Sequence, residues 1–199
     1  MNQKVYDLIE SYREDFIRTL QAWVRVPSVK GPAEEGAPFG REVRDMLTLA
    51  LKTAEDMGFA VRDFDGYAGD VTLGNGEEPL AVLGHLDVVP TGDGWTRLPF
   101  GAVIEDGKIY GRGTNDDKGP TLAALYAMKA IQEAGVPLKQ GIRLIMGCDE
   151  ECDWECMKYY TAHTKMPEVG FSPDASFPLI NTEKGLIHFD LTFPAADSG

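Results

Sequence analysis

The chain has 199 residues and a formal net charge of -13, from 19 lysines and arginines against 32 aspartates and glutamates. Its 43% hydrophobic and 10% aromatic residues can bury a core, and the length suits one large domain or one and a half, so a disordered chain is excluded. Because an acidic surface repels phosphate backbones and anionic lipids, we expect no nucleic-acid partner and no membrane attachment.

Apolar residues at three- and four-residue spacing predict two amphipathic helices near the start of the chain, over 5–24 and 43–57. Pro27 and Gly58 follow these helices as stop signals. Short apolar runs then predict strands, at 59–64, 71–73 and 80–86. The Gly-Asn-Gly sequence at 74–76 predicts a turn that reverses the chain between the second and third strands.

The second half of the chain continues to alternate strands and helices. Turn residues inside an alternating segment predict a hairpin at 100–110, and a helix is predicted at 120–134. The remaining predicted elements are a strand at 142–146, a short helix at 153–160 and a strand at 168–171. Helices alternating with apolar strands indicate a layered α/β domain with a mixed central sheet flanked by helices.

Four places that follow predicted strands or loops concentrate histidine, aspartate and glutamate. They are His85 with Asp87, Asp116 with its neighbour, the run 149–151, and Asp174. Taken alone, each has an ordinary structural explanation, as a buried histidine, a helix cap, a solvated acidic run or a turn residue. Ligands of open α/β sheets, however, bind at the carboxyl ends of strands. An acidic run at the end of a buried strand also needs neutralisation by cations or by raised pKa values.

Together, His85, Asp116, Glu151 and Asp174 offer one imidazole and three carboxylates. This donor set suits Zn²⁺, with Mn²⁺ or Co²⁺ as alternatives, and one shared carboxylate would make a two-metal site. Two divalent ions about 4 Å apart polarise a carbonyl group and lower the pKa of a water molecule, which is hydrolytic chemistry. Of the two adjacent glutamates at 150 and 151, one can then act as a ligand and the other as a proton carrier.

The sequence also predicts a cytoplasmic protein. Its longest apolar runs fall far short of the roughly 20 residues that span a bilayer. The first residues carry scattered charges and no signal-peptide hydrophobic block. Three cysteines, an odd number, argue for reduced thiols and against a disulfide framework.

Four strings carry a resemblance to a known family: GHLDVVPTGDGW, GRGTNDDKGP, DEE and SPDASFP, in this order and spacing. They resemble the co-catalytic di-zinc aminopeptidase/carboxypeptidase family, which includes aminoacylases and carnosinases, and within it most of all the PepV-like bacterial dipeptidases. The resemblance implies that His85 and Asp174 bind one zinc, that Asp116 bridges two zincs, and that Glu151 binds the second. The implied activity is zinc-dependent hydrolysis of dipeptides.

The same resemblance implies the remaining roles at the site. Glu150 would be the general base that takes a proton from the bridging water, and Asp87 would orient His85 from behind. Asp117 and Lys118 would shape the loop. Many deacylases of the family carry glutamate where this chain has Asp174, which favours dipeptides, and hydrolysis of N-acyl amino acids stays open as the alternative.

Family members place a last histidine ligand and an inserted lid domain further downstream than this sequence reaches. By resemblance, residues 1–182 are the N-terminal part of the catalytic domain and 183–199 begin a truncated lid. We therefore expect the chain alone to be inactive and to self-associate through the surface that truncation exposes. A non-catalytic fragment that acts as an interaction module is the alternative from another class. His163 and His188 lie in no matching motif, and we expect structural or surface roles for both.

Overall fold

The computed structural model describes residues 2–75, 78–176, 178–185, 187 and 189–193. Its helices are α1 Gln3–Ser11, α2 Arg13–Val24, α3 Arg41–Asp56, α4 Lys118–Ala134 and α5 Glu155–His163. The single helix predicted over 5–24 is divided at Tyr12, whose ring packs against Tyr126 of α4 with the ring centres 5.7 Å apart. α4 ends as expected at Gly135, which adopts the left-handed conformation with φ 68°.

The strands of the described residues are β1 Ala60–Phe64, β2 Ala68–Leu73, β3 Leu80–His85, β4 Val103–Glu105, β5 Lys108–Tyr110, β6 Ile142–Gly147 and β7 Gly170–Phe171. Five of them form one sheet in the order β1-β2-β6-β3-β7, while β4 and β5 form a separate hairpin. The predicted hairpin is thereby confirmed, and its turn residues Asp106 and Gly107 both have positive φ, 50° and 72°.

The central sheet is mixed. β1 pairs antiparallel with β2 and β2 with β6, whereas β3 runs parallel to both β6 and β7. β6 therefore separates β2 from β3, so the predicted reversal between those strands does not make them neighbours. The layered α/β fold with a mixed sheet flanked by helices is confirmed.

Helices cover both faces of this sheet. A Cβ on Gly69 of β2 would lie within 3 Å of Leu47 and Leu51 of α3, whereas the next residue, Asp70, accepts a hydrogen bond from Tyr160 of α5. Because successive residues of a strand face opposite sides, α3 and α5 lie on opposite faces. The largest fully buried apolar side chains between these layers include Trp23, Met46, Leu47, Leu122, Leu125, Leu144, Ile145 and Met146.

The topology brings three chain segments to one edge of the sheet. β3, β6 and β7 are parallel and end at His85, Gly147 and Phe171, so the residues that follow them emerge on the same side. The described residues after β7 form no helix or strand, and the expected domain boundary at 182/183 stays a prediction. Among the residues described, no helix has the length and apolar character needed to cross a bilayer.

Candidate metal centre

His85 is the last residue of β3 and lies at the centre of an acidic cluster. Its side chain is 2% exposed, and its Nε2 lies 3.1 Å from Asp116 Oδ1, 3.5 Å from Asp174 Oδ2 and 3.9 Å from Glu150 Oε2. His85, Asp116 and Asp174 each offer one donor atom, and these atoms all lie within 4.8 Å of one another. The structure therefore brings together three of the four ligands predicted from the sequence, with Glu150 beside them.

Asp87 connects two parts of the cluster. Its backbone carbonyl lies 3.0 Å from His85 Nδ1, and its carboxylate Oδ1 lies 3.5 Å from the same nitrogen. A carbonyl can only accept, so Nδ1 carries the hydrogen and Nε2 faces the carboxylates as a potential metal ligand. The Asp87 carboxylate also accepts the backbone N–H groups of Glu150 and Glu151, each at 3.1 Å. Asp87 thus positions both the imidazole and the acidic run.

Asp117 lies behind the cluster and is fully buried. Its Oδ2 accepts the backbone N–H of His85 at 3.2 Å and the hydroxyl of Thr121 at 2.7 Å. Gly84 makes this approach possible, because a Cβ there would lie 2.0 Å from the Thr121 hydroxyl and 2.7 Å from Asp117 Oδ2. Burial raises the pKa of Asp117 to about 6. The peptide bond that joins it to Asp116 is cis.

Lys118 anchors the same loop to the N-terminal helices. Its side chain is fully buried, and its Nζ donates hydrogen bonds to the carbonyls of Trp23 at 3.1 Å and Val26 at 2.7 Å. Burial lowers its pKa to about 7. The Ser28 hydroxyl makes a second link by donating to the carbonyl of Leu86 at 2.6 Å. The end of α2 and the residues just after it therefore support both the loop before α4 and the segment after β3.

Negative charge exceeds positive charge around His85. The carboxyl groups that surround it belong to Asp87, Asp116, Asp117, Glu150, Glu151 and Asp174. Burial would lower the pKa of His85, but the Asp87, Asp117 and Glu150 carboxylates outweigh burial and raise this pKa to about 10. Burial, helped by neighbouring carboxylates, raises the pKa of Glu150, Glu151 and Asp174. One imidazolium cannot balance these carboxylates, so the donor set fits a divalent cation.

Glu151 is the predicted ligand that the structure does not place within the group of three. Its backbone N–H is held by Asp87, and burial, followed by the nearby charge of Asp116, raises the pKa of its carboxyl. Glu150 and Asp174 line a cavity of about 210 Å³ whose apolar wall includes Leu83, Cys156 and Met157. His163 is exposed and stacks on Tyr159, and His188 lies outside the described residues.

Thr121 and Ser28 are supporting residues that sequence reasoning missed. Thr121 follows Asp117 by four residues at the start of a helix, and this spacing, which places two side chains on one helix face, could have indicated the contact. Ser28 and Leu86 are 58 residues apart. No local signal connects them, because the contact depends on how α2 packs against the sheet.

Comparison with known families decides what kind of protein carries this cluster. Residues 81–191, more than half of the chain, match the model of the peptidase family M20/M25/M40. The chain belongs to this family. The match spans the segments that supply His85, Asp116, Glu150 and Asp174, and it confirms the peptidase family expected from the sequence motifs.

Curated relatives of this family member are longer than the chain. This chain is 48% identical over 184 residues to YtjP of Bacillus subtilis and 42% identical over 185 residues to a protein of Staphylococcus aureus. Both relatives carry the provisional name dipeptidase. The alignments cover 92% of this chain but only 40% and 39% of the two relatives. The chain thus spans about two fifths of the length of the curated relatives it matches.

Solved structures of peptidases share the fold of this chain. Human carnosine dipeptidase 1 is 30% identical, with a TM-score of 0.63 over 75% of this chain and 35% of that protein. The dipeptidase Dug1p from Saccharomyces cerevisiae has a TM-score of 0.67 over 79% of this chain and 36% of its own, at 23% identity. At that lower identity the likeness concerns the fold alone.

Proposed function

We propose that this chain is the N-terminal part of a zinc-dependent dipeptidase, which hydrolyses the peptide bond of dipeptides. One observation carries the proposal. His85, Asp116 and Asp174 offer three donor atoms within 4.8 Å of one another, and Glu150 lies beside them. The 48% identity to a protein named as a dipeptidase supports the choice of substrate.

The donor set supports the assignment of ligands. His85 Nε2, Asp116 and Asp174 would hold one cation, and Asp116 with Glu151 would hold a second. An imidazole with carboxylates suits Zn²⁺, and Mn²⁺ or Co²⁺ are alternatives. When bound, such cations polarise the scissile carbonyl and lower the pKa of a water molecule toward neutrality.

Glu150 is the residue proposed to move the proton. It accepts a proton from the attacking water and gives it to the leaving amine, which requires a carboxyl whose pKa lies nearer to neutrality than usual. Burial, together with the charges of Asp174, Asp87 and Asp116, raises the pKa of Glu150 in this direction. Asp87 holds the backbone of Glu150 and so fixes where its carboxylate can reach.

The decisive experiment uses the complete gene product loaded with zinc. Replacing Glu150 with Gln keeps the size of the side chain but removes the base, so we expect kcat for unblocked dipeptides to fall by about 10²–10⁴-fold. Metal content, measured by elemental analysis, should not change. The matched control is Glu155→Gln, which alters an exposed glutamate in the first turn of α5 and should leave kcat within about twofold.

Substrate comparison separates the alternatives. N-acetyl amino acids hydrolysed faster than dipeptides would indicate a deacylase instead. Normal dipeptide turnover by the Glu150→Gln variant would contradict the assignment of the base. No turnover by the complete wild-type protein would favour the interaction-module hypothesis.

Two further expectations belong to the same proposal. The isolated chain should be inactive and should self-associate, because apolar side chains near its end are largely exposed, including Leu179, Ile187, Phe189, Leu191 and Phe193. A monomer in sedimentation velocity at all concentrations would contradict self-association. A small peptide as ligand remains a prediction from the family resemblance, and the absence of nucleic-acid and membrane partners remains a prediction from charge. The cytoplasmic location remains a prediction from the short apolar runs, the lack of a signal-peptide block and the cysteine count. Binding assays and fractionation can test them.

A further inference from the structure

Lys30 is far from the acidic run in sequence and close to it in space. Its Nζ lies 2.7 Å from Asp149 Oδ1 and 2.8 Å from Asp153 Oδ2, and 5.5 Å from the centre of the Phe39 ring. The side chain of Asp149 is fully buried, whereas that of Asp153 is 68% exposed. Lys30 therefore has one buried partner and one partner in solvent.

Asp149 closes the loop that carries the two functional glutamates. Its backbone carbonyl accepts the N–H of Trp154 at 2.9 Å, and its Oδ2 accepts the N–H of Glu155 at 3.1 Å. The loop 149–154 is thus held by Asp149 at its base, while Asp87 holds the N–H groups of Glu150 and Glu151 on the side of the metal centre.

A carboxylate stays buried only when a positive charge or several hydrogen bonds compensate it. Lys30 supplies this charge through an ion pair in which its Nζ lies 2.7 Å from Asp149 Oδ1. The close pairing with Asp149, and next with Asp153, raises the pKa of Lys30 above the ordinary value, so it is an ammonium ion at every physiological pH. Without Lys30, the Asp149 carboxylate would have no counter-charge and would turn toward water. That movement would break the bond to Glu155 and release the loop.

We propose that Lys30 is a positioning residue. Its ammonium group, acting through Asp149, fixes the loop that presents Glu150 and Glu151 to the metal centre. The consequence for catalysis rests on the proposed dipeptidase function, whereas the consequence for metal binding does not. No sequence pattern indicates this role, since Lys30 follows a turn more than one hundred residues before the loop.

The test compares variants of the complete gene product by zinc titration and by steady-state kinetics. Lys30→Met should weaken zinc binding by about 10–100-fold, the range found when residues that support metal ligands are removed. It should lower kcat but leave KM within about twofold, because the substrate is not contacted. Lys30→Arg keeps the positive charge and should retain most of the affinity.

The double variant Lys30→Met/Asp149→Asn distinguishes positioning from general stability. The amide introduced by Asp149→Asn needs no counter-charge yet can still accept the N–H of Glu155, so the double variant should recover at least about tenfold of the lost zinc affinity. Asp153→Asn, which removes only the exposed partner, should keep zinc affinity within about twofold. Lys158→Met is the matched control for zinc affinity, because it replaces a lysine whose partner, Glu155 on α5, is exposed.

Two results would overturn the proposal. One is a Lys30→Met protein that binds zinc as tightly as the wild type. The other is a folded double variant, verified by circular dichroism, that binds no better than Lys30→Met alone. If Lys30→Met does not fold, the double variant is compared directly with the wild type and with Asp153→Asn. A folded double variant that binds zinc more than about tenfold more weakly than Asp153→Asn would then overturn the proposal. A wild-type protein without dipeptidase activity would refute the proposed function but would leave the zinc comparison valid.

Discussion

Two regions of the described residues bury acid in different ways: Asp70 on β2 is a single carboxylate that the chain itself neutralises, whereas several carboxylates gather around His85. Asp70 on β2 is 1% exposed and is bound by Arg62, whose Nε donates at 2.9 Å. The Tyr160 hydroxyl donates to it at 2.7 Å, and Arg143 Nε lies 3.9 Å away. One carboxylate here has two guanidinium groups and a phenol as partners.

Around His85 the balance is reversed, since several carboxylates share one imidazole. Among the residues that the structure describes, the two nearby lysines have other partners: Lys118 binds backbone carbonyls and Lys30 pairs with Asp149. The buried carboxylate of Asp70 is paired with arginines of the chain, whereas the carboxylates around His85 carry more negative charge than the described cations near them balance. That difference, more than the presence of acidic residues, indicates a cation-binding centre.

Replacing Asp70, whose charge the chain neutralises, should cause the larger loss of stability. Asp70→Ala leaves Tyr160 without its buried acceptor and Arg143 without its nearby negative charge. We expect the free energy of unfolding to fall by about 3 kcal/mol, at the lower end for a broken buried pair because Arg62 can reach water. Urea denaturation with a chelator present measures this. Asp56→Ala, which breaks the exposed pair with Lys52, should cost less than about 1 kcal/mol. Equal losses of unfolding free energy in the two variants would show that the buried Asp70 contributes no more to stability than an exposed surface pair.

The smaller effect comes from removing an acid of the other cluster. Burial, with the charge of Asp116, raises the pKa of Asp174, so its ionised form is less favourable in the folded chain than in the unfolded chain. Without metal, Asp174→Asn should therefore be as stable as the wild type or slightly more stable at pH 7.

The pH dependence of this variant has a definite sign. A raised carboxyl pKa lowers stability only above the unfolded value, near 3.9 for aspartate. The two proteins should thus be equally stable below about pH 3. As pH rises through the raised pKa of Asp174, the free energy of unfolding of the wild type should fall relative to that of Asp174→Asn. Chemical denaturation with chelator at several pH values tests this, and a variant clearly less stable at pH 7 would show that Asp174 is neutralised by the chain.

Sequence patterns predicted most of the helices and strands, although the single helix expected over 5–24 is divided at Tyr12, and they pointed to three residues that the structure brings together, His85, Asp116 and Asp174. His85 and Asp174 could be grouped because β3 and β7 run parallel and release the residues that follow them at one edge of the sheet. Asp116 follows the separate β4–β5 hairpin, and only its residue type and the family resemblance placed it with the other two. The insertion of β6 between β2 and β3 could not be predicted, because strand order depends on pairings between distant segments. For the same reason the contacts of Asp70 with Arg143, and of Lys30 with Asp149, were not foreseen, since each joins residues about 70 or more positions apart.

Metal binding by the His85 cluster is tested by a zinc titration of this chain by calorimetry, with elemental analysis, for the wild type and Asp116→Ala. We expect the wild type to bind at least one zinc and the affinity to fall by at least about tenfold in the variant. Glu155→Gln should bind as the wild type does. A wild-type chain that binds no zinc, or an Asp116→Ala chain that binds it equally well, would contradict the assignment of the His85 cluster as a metal centre.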